Sequence, residues 1–485
     1  MNTDDHPPFE KADAGKDADS SRLRKNLSRR ALLKAAGAGL LGGAALYGME
    51  ALRLFPETIA PPPPPPAGAM TYRINPRNGD RISLLAFGCM RFPVLPEATR
   101  PSGPEIDNAA AAALVDYAMA HGVNYFDTAW RYHAGMSEVM IGKALKRYPR
   151  ESFFLADKMP GAINPTLEQA KDLFRTQLER CQVDYFDYYL LHSVRTVEAF
   201  KQTYEEYGIL DFLLEQKAAG RIRNLGWSFH GDKEALDYLL AYPVNWDFAM
   251  VQLNYHDLLY KYIPRAGILK SLNNAPAEPR WVLEKMRSTT IPLMVMEPLL
   301  GGRLARLNKK ALTLLQEEHP QASAASWAFR YAAALPNVLT VLSGMTHMEH
   351  LRDNLWTYSP FEPLSEEEMT TLQRALGIFA TQENIRCTAC AYCMPCPYGV
   401  DIPAVFTHYN YCVDDEHIPK GERNADYEKA RRAFLVGHDR SVPELRQAMR
   451  CTGCNTCTPH CPQEIDIPKE LARLGKFVEQ LRTQA

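Results

Sequence analysis

The feature that most constrains this sequence is a regular alternation of strand-like and helix-like segments between Met70 and about Ser359. The strand-like segments are Leu84–Phe87, Asn124–Asp127, Phe153–Ala156, Phe186–Leu191, Arg223–Ser228, Phe248–Leu253, Leu293–Glu297 and Val338–Leu342. The helix-like segments are Asn108–His121, Ser137–Tyr148, Thr166–Cys181, Leu210–Gly220, Lys233–Tyr242, Pro279–Ser288, Ala322–Ala334 and Met348–Trp356. Eight such alternations predict an α/β fold, a (β/α)₈ TIM barrel, for which about 250 residues are typical.

Polar residues stand at the ends of three successive predicted strands. Asp127 ends the second strand, Lys158 follows the third, His192 follows the fourth, and Tyr132 lies in the loop after Asp127. A buried carboxylate needs a partner, and a phenol needs a nearby cation to titrate near neutral pH. Because barrel active sites lie at the C-terminal ends of the strands, these four residues are candidate catalytic groups. Singly, each also has a structural interpretation, as a loop aromatic, a core histidine or half of an ion pair.

Eight of the eleven cysteines form two runs near the C-terminus. The runs are Cys387, Cys390, Cys393 and Cys396, then Cys451, Cys454, Cys457 and Cys461, each followed by proline. The second run has the spacing of bacterial ferredoxins, and the first is one residue shorter. Such clustering indicates metal or cluster ligands rather than disulfides.

The ferredoxin resemblance implies two 4Fe-4S clusters, with the fourth cysteine of each run serving the other cluster. Cys396 would then bind the second cluster and Cys461 the first. A single cluster with leftover thiols is one alternative, because the first run departs from the usual spacing. Structural zinc is another, although it usually uses two cysteine pairs separated by a longer loop. Helix-like stretches at Ala425–Phe434 and Val442–Met449 favour a small, mainly helical ferredoxin-like domain.

The N-terminal part has the order of an export signal. Ser28-Arg29-Arg30-Ala31-Leu32-Leu33-Lys34 precedes an apolar, small-residue run from Ala35 to about Tyr47. The paired arginines resemble a twin-arginine (Tat) signal, which implies export by the Tat translocase to the periplasm or to the periplasmic face of the membrane. A short amphipathic helix with chance arginines is the alternative. The proline run from Pro61 to Pro66 predicts a stiff, extended spacer.

These features divide the 485 residues into five segments. We expect a disordered n-region and Tat signal at 1–60, a proline-rich linker at 61–69, the barrel at 70–360, a helical connector at 361–384 and a 4Fe-4S ferredoxin-type domain at 385–485. A hairpin of Tyr72 and Arg81–Ile82, turning at Asn78-Gly79, is expected to cap the barrel floor. The net charge of −2 gives no case for a nucleic-acid partner.

Motifs throughout the barrel follow one order. They are Phe126-Asp127-Thr128-Ala129, Tyr132, Gly135-x-Ser137-Glu138, Lys158, Asp187 with His192, Gly226-Trp227-Ser228, Gln252, Pro298-Leu299 with Gly301, and Ser343-Gly344 with Asn354. Together they resemble the aldo/keto reductase family. The resemblance implies that Tyr132 donates a proton to a substrate carbonyl and that His192 orients the carbonyl oxygen. Lys158, paired with Asp127, would depress the pKa of the phenol.

The same resemblance implies a nicotinamide cofactor, NADP(H). The residues it assigns to the cofactor are Ser228, Gln252, Pro298, Leu299, Gly301, Ser343, Gly344 and Asn354. Three positions depart from the family pattern and weaken the expectation of tight NADPH binding. Phe229 replaces an asparagine, the segment before Pro298 lacks a tyrosine, and Gly344 and His350 replace the basic residues at the 2′-phosphate. Arg91, after the first strand, could meet a substrate carboxylate or a cofactor phosphate, or be a rim charge.

Taken together, the sequence predicts an exported iron–sulfur oxidoreductase of the aldo/keto reductase type. It would convert a carbonyl, an alcohol or a related small substrate and exchange electrons through its clusters with a redox partner protein or a quinone. One alternative is an NADPH-dependent carbonyl reductase whose clusters are structural. Another is an electron-transfer or docking subunit without catalysis.

The export signal makes a direct prediction. Replacing Arg29 and Arg30 by Lys keeps the charge but removes the arginine pair, so we expect the variant to remain in the cytoplasm. Cell fractionation followed by immunoblotting measures this, with Arg22→Lys/Arg24→Lys as the charge-matched control. Unchanged export of the Arg29/Arg30 variant would contradict the signal.

Overall fold

The computed structural model describes residues 68–95, 105–161, 165–260, 277–419, 421 and 425–483. Ten strands lie in this part of the chain: β1 Tyr72–Ile74, β2 Arg81–Ser83, β3 Leu85–Gly88, β4 Tyr125–Asp127, β5 Phe154–Pro160, β6 Phe186–Val194, β7 Ile222–Phe229, β8 Phe248–Gln252, β9 Leu293–Met296 and β10 Val338–Ser343. Strands β3 to β10 form a closed barrel in sequence order, with β10 beside β3. The predicted export signal and proline spacer lie outside the described residues.

The α-helices of the barrel and the connector follow the predicted alternation. They are Asn108–Ala120, Met136–Leu145, Leu167–Cys181, Val197–Phe200, Ile209–Ala218, Lys233–Ala241, Tyr255–Leu259, Pro279–Arg287, Lys309–Glu318, Ala324–Ala333, Met348–Thr357 and Glu366–Phe379. Side-chain caps explain several of the helix starts, since Thr166 and Ser365 each form a capping box with the residue three positions later. All eight predicted strands and helices are present. Lys309–Glu318, Val197–Phe200 and Tyr255–Leu259 were not predicted.

Parallel pairing sets the register of the site. In β4, Asp127 lies beside Gly88 of β3 and Ala156 of β5. Pro160 of β5 pairs with His192 of β6. The sequence placed Lys158 after the third strand. In the structure β5 extends to Pro160, so Lys158 lies within this strand. The register therefore brings the predicted site residues to the C-terminal face of the barrel.

The predicted hairpin at the barrel floor is confirmed. Strands β1 and β2 pair antiparallel, with Tyr72 opposite Ser83. Gly79 in the turn has φ +82°, a conformation that favours glycine. Asp80 of the hairpin accepts a 2.6 Å hydrogen bond from the hydroxyl of Tyr188, which joins the hairpin to the barrel interior.

The C-terminal part has its own apolar core and is mainly helical. Its α-helices are Ile402–Asp414, Tyr427–Ser441 and Ile467–Thr483, and their buried side chains include Phe406, Phe434 and Leu474. The prediction of a helix at Val442–Met449 is wrong. Pro443 fixes an extended break there, and only two short 3₁₀ turns follow it. No helix among the described residues is long and apolar enough to span a membrane.

Two helical glycines give a matched test of barrel packing. A Cβ at Gly142 would lie 2.4 Å from the carbonyl oxygen of Arg180, whereas a Cβ at Gly377 would meet no atom within 4 Å. We expect Gly142→Ala to lower the unfolding free energy by about 1–3 kcal/mol through overpacking. Gly377→Ala should raise it by about 0.5–1 kcal/mol through helix propensity. Urea unfolding followed by circular dichroism measures the unfolding free energy of both variants. Equal effects of the two substitutions would contradict the close packing of Gly142 against Arg180.

Candidate active site

A buried ion pair lies at the centre of the site. The Nζ atom of Lys158 is 2.6 Å from Oδ1 of Asp127 and donates a second hydrogen bond, 2.7 Å long, to the carbonyl oxygen of Thr128. Lys158 and Asp127 are 1% and 2% exposed. Burial raises the pKa of Asp127, and the charge of Lys158 opposes that shift. Removing either partner would leave an uncompensated buried charge, which costs about 3–5 kcal/mol.

The loop that carries Tyr132 has an unusual backbone. His133 and Ala134 have φ +50° and +53°, and Gly135 has φ +90°. Non-glycine residues in this region are strained and persist only where their surroundings impose the conformation. The hydroxyl of Ser137 helps to hold this loop in place, because it donates a hydrogen bond to the carbonyl oxygen of Cys89 at 3.0 Å.

This loop brings the four predicted catalytic residues together. The ring centroid of Tyr132 lies 5.0 Å from Nζ of Lys158 and 6.4 Å from the ring centroid of His192. Lys158 in turn holds Asp127. The structure therefore places an ammonium, a carboxylate, a phenol and an imidazole side by side.

The electrostatics differ from the expectation for Tyr132. The resemblance implied that Lys158 depresses the pKa of this phenol, but burial and the negative charge of Asp127 raise the pKa of Tyr132 overall, well above its ordinary value. Burial and the Lys158 charge hold the pKa of His192 well below its ordinary value. At neutral pH the site therefore presents a protonated phenol as hydrogen-bond donor and a neutral imidazole beside it.

Sequence reasoning missed Tyr392, which lies between Cys390 and Cys393 in the first cysteine run. Its hydroxyl is 3.3 Å from Nε2 of His192, and it lies close enough to Tyr132 to oppose the rise in the pKa of that phenol. The only available signal was an aromatic residue inside a run of ligands, which does not show where the side chain lies. Tyr392 is therefore a fifth residue of the site, contributed by the C-terminal domain.

Further contacts place the C-terminal domain on the face of the barrel that carries the site. Arg91 donates to the carbonyl oxygens of Thr388 at 2.6 Å and Ala389 at 2.9 Å. It therefore binds backbone of this chain, and none of the three roles considered for it from sequence describes that contact. Arg386 forms an ion pair with Asp257 at 3.2 Å. These contacts hold the first cysteine run over the mouth of the barrel.

The residues assigned to NADP(H) fall into two groups. Ser228 accepts a 2.7 Å hydrogen bond from the N–H of Ser193, and the side-chain amide of Asn354 donates to Ser343 at 2.9 Å. These pairs, and Pro298 and Leu299 in the turn after β9, lie within the barrel.

The second group of residues assigned to NADP(H) is covered by the C-terminal domain or by Arg91. The amide oxygen of Gln252 accepts a hydrogen bond from Gln463 at 3.3 Å. A Cβ at Gly301 would lie 2.4 Å from the Cα of Thr388, and one at Gly344 would lie 2.5 Å from the Cγ of Arg91. The C-terminal domain, or the arginine that binds it, thus contacts three of the eight residues. The site in this arrangement does not fit a dinucleotide.

The eight clustered cysteines are free thiols. Cys387, Cys390, Cys393 and Cys461 lie near enough to raise one another's pKa, and burial with these neighbours raises the pKa of Cys387 to about 12. Cys457 of the second run lies near Cys451 and near Cys396 of the first run. Each group thus includes the fourth cysteine of the other run, the crossed arrangement that the ferredoxin resemblance implied. Among the described residues no group of three or more His, Cys, Asp or Glu is arranged around a single metal ion.

The two cysteine loops share one backbone conformation. Ala389 and Gly453, at equivalent positions, have φ +50° and +75°, and Ala391 and Asn455 have φ +62° and +60°. The N–H of Ala389 points to the Sγ atom of Cys387 at 3.3 Å. Hydrogen bonds to sulfur stabilise cluster-bound thiolates and tune their reduction potential. The residues present therefore fit 4Fe-4S clusters, which supply one-electron transfer when bound.

Comparison with known proteins identifies both parts. Residues 85–376, more than half of the chain, match the model of the aldo/keto reductase family. The chain belongs to the aldo/keto reductase family. Residues 386–466 match the model of a 4Fe-4S dicluster domain, so an iron–sulfur domain follows the reductase barrel.

Several relatives are similar to this aldo/keto reductase. Probable aldo-keto reductase 1 of Glycine max is 31% identical over 158 residues, which are 31% of this chain and 42% of that protein. The NADH-specific methylglyoxal reductase of Escherichia coli (strain K12) is 24% identical over 277 residues, 48% of this chain and 78% of that protein. The holo form of aldo-keto reductase AKR11C1 from Bacillus halodurans is 24% identical, with a TM-score of 0.49 over 63% of this chain and 96% of that one. The chain is an oxidoreductase of this family.

The crossed cysteine groups predict which cluster each residue holds. Cys461→Ser should lose the cluster of the first run and keep the other, so iron content should fall by about half. Iron and sulfide analysis with EPR of the reduced protein measures this, and Cys412→Ala, a buried cysteine outside both groups, is the control. Unchanged iron, or loss of the cluster of the second run, would contradict the assignment.

Proposed function

We propose that this chain is an exported iron–sulfur oxidoreductase that interconverts a carbonyl and an alcohol on a small substrate. Asp127, Tyr132, Lys158 and His192 form the reaction site, and electrons pass through two 4Fe-4S clusters of the C-terminal domain. One observation carries the proposal. Tyr392, inside the first cysteine run, hydrogen-bonds His192, so ligands of a redox centre lie one residue from a side chain that contacts the site.

The chemistry fixes what the side chains have to supply. Reducing a carbonyl to an alcohol consumes two electrons and two protons. A hydride donor brings both electrons and one hydrogen together, whereas one-electron carriers bring no hydrogen, so both protons come from side chains or water. In the proposal, Tyr132 donates the proton that reaches the oxygen, and the neutral imidazole of His192 holds that oxygen.

Export by the Tat route is part of the proposal. The paired arginines support it, and Tat export suits a protein that takes up its clusters before it crosses the membrane. A periplasmic enzyme would draw electrons from a redox partner protein or a quinone at the cluster domain. An NADPH-dependent carbonyl reductase is the second candidate, favoured by the intact hydrogen bond between Ser343 and Asn354, two of the residues assigned to NADP(H).

Replacing Tyr132 by Phe tests the reaction site. We expect kcat to fall by about 10²–10⁴, the usual contribution of a general acid, while the cluster spectra stay unchanged. The assay follows reoxidation of viologen-reduced holoprotein by a panel of small aldehydes and ketones under anaerobic conditions.

Tyr398→Phe is the matched control, because that tyrosine is 51% exposed and lies just after the first run. Equal turnover by wild type and Tyr132→Phe would show that the barrel site is not where the substrate reacts.

A further inference from the structure

We propose that residues 386–393 act as a built-in replacement for the dinucleotide cofactor. This segment, here called the cluster loop, occupies the groove that the family resemblance assigns to NADP(H). Electrons would then reach Tyr132 and His192 through the first cysteine run, and the docked chain would bind no dinucleotide. The electron route rests on the proposed function, whereas the filled groove does not.

The backbone of the cluster loop lies close to Gly301. Gly301 has φ +68°, and a Cβ there would lie 2.4 Å from the Cα and 2.6 Å from the carbonyl oxygen of Thr388. The N–H of Gly301 is already used, since it donates to Oε2 of Glu297 at 2.6 Å. Backbone cannot rotate aside as a long side chain can. A dinucleotide could therefore occupy this position only if the whole cluster loop moved away.

Arg91, which could have bound an anion, instead binds the cluster loop. Two of its guanidinium nitrogens donate to the carbonyl oxygens of Thr388 and Ala389. Its side chain also covers Gly344, where the family commonly has a basic residue at the cofactor phosphate. Arg91, beside this position, thus binds neutral carbonyl groups of the chain itself. The contact favours the docked loop and leaves the phosphate position without that cation.

The other end of the loop reaches the reacting groups. The Tyr392 hydroxyl lies 3.3 Å from Nε2 of His192, with the two ring centroids 6.2 Å apart. A nicotinamide ring placed against this pair would have to displace Tyr392. The cluster loop therefore covers both the phosphate end and the reacting end of the groove.

The two cysteine runs differ in their exposure to solvent. The first run faces the barrel, and its partner from the second run, Cys461, is buried. Cys454 in the second run is exposed. We therefore assign the first cluster to the substrate side and the second to the side where an external donor binds. In the reductive direction the carbonyl accepts two electrons, one for each reduced cluster oxidised, with a proton from Tyr132 on oxygen and one from water on carbon.

The first arm of the test is a binding measurement on the anaerobic holoprotein. NADPH and NADH are titrated in turn, followed by nucleotide fluorescence and by calorimetry. We expect no saturable binding up to about 1 mM nucleotide, which corresponds to less than about 4 kcal/mol of binding free energy. Saturable binding at micromolar nucleotide would overturn the inference. Carbonyl reduction driven by viologen would stay unaffected by that result, so it would not be confused with failure of the proposed function.

The second arm uses neighbouring glycines that share a left-handed backbone. Gly301→Ala places a methyl group against the cluster loop, whereas a Cβ at Gly302, which has φ +94°, meets no atom within 4 Å. We expect Gly301→Ala to change the EPR signal and midpoint potential of one cluster, and Gly302→Ala to leave both as in wild type. Identical behaviour of the two variants would contradict the docked loop.

A third variant keeps the test decisive if Gly301→Ala fails to fold. Arg91→Met removes both hydrogen bonds to the loop without adding bulk near Thr388. Hydrogen exchange of residues 386–393 should then speed up by at least about tenfold, equivalent to ~1.4 kcal/mol of lost protection. Exchange in the helix Ile467–Thr483 should not change. Unaltered exchange of the loop would show that Arg91 does not anchor it.

Discussion

The buried ammonium of Lys158 is the constraint on which the site depends. A charge with almost no exposure to water is tolerated only when its hydrogen bonds are met, and here Asp127 and the Thr128 carbonyl meet them. This requirement joins the ends of β4 and β5 and fixes the start of the loop that carries Tyr132. In this loop His133 and Ala134 have a left-handed backbone, and the phenol of Tyr132 lies near the ammonium and the imidazole.

The same pair explains why Tyr132 is not a strong acid. The negative charge of Asp127 accompanies the positive charge of Lys158, so little net charge is left to stabilise a phenolate in a buried position. The phenol therefore stays protonated and acts through its hydrogen bond. A second phenol, Tyr392, already contacts Tyr132 and His192, which makes the site a joint product of the barrel and the iron–sulfur domain.

Equivalent residues of the two cysteine loops adopt the same left-handed conformations. This repeat supports the same role for both loops, which is to bind a cluster. Their surroundings differ. The position of Tyr392 in the first run corresponds to Thr456 in the second, where the loop is exposed. A large aromatic side chain at this position suits a loop that reaches into a barrel, and a small polar one suits a loop that faces solvent.

The sequence by itself determined the elements and the chemistry of their ends. Periodic apolar segments predicted all eight barrel strands, because strand and helix patterns are local, and spacing alone predicted the cysteine ligands. Two helix predictions failed: Pro443, itself a local signal, breaks the helix predicted at Val442–Met449, and the helix Lys309–Glu318 was missed. Only the tertiary structure decided that Arg91 binds the cluster loop, that Thr388 covers Gly301 and that Tyr392 contacts His192. These contacts join residues more than 80 positions apart and across two domains, so no local sequence pattern encodes them.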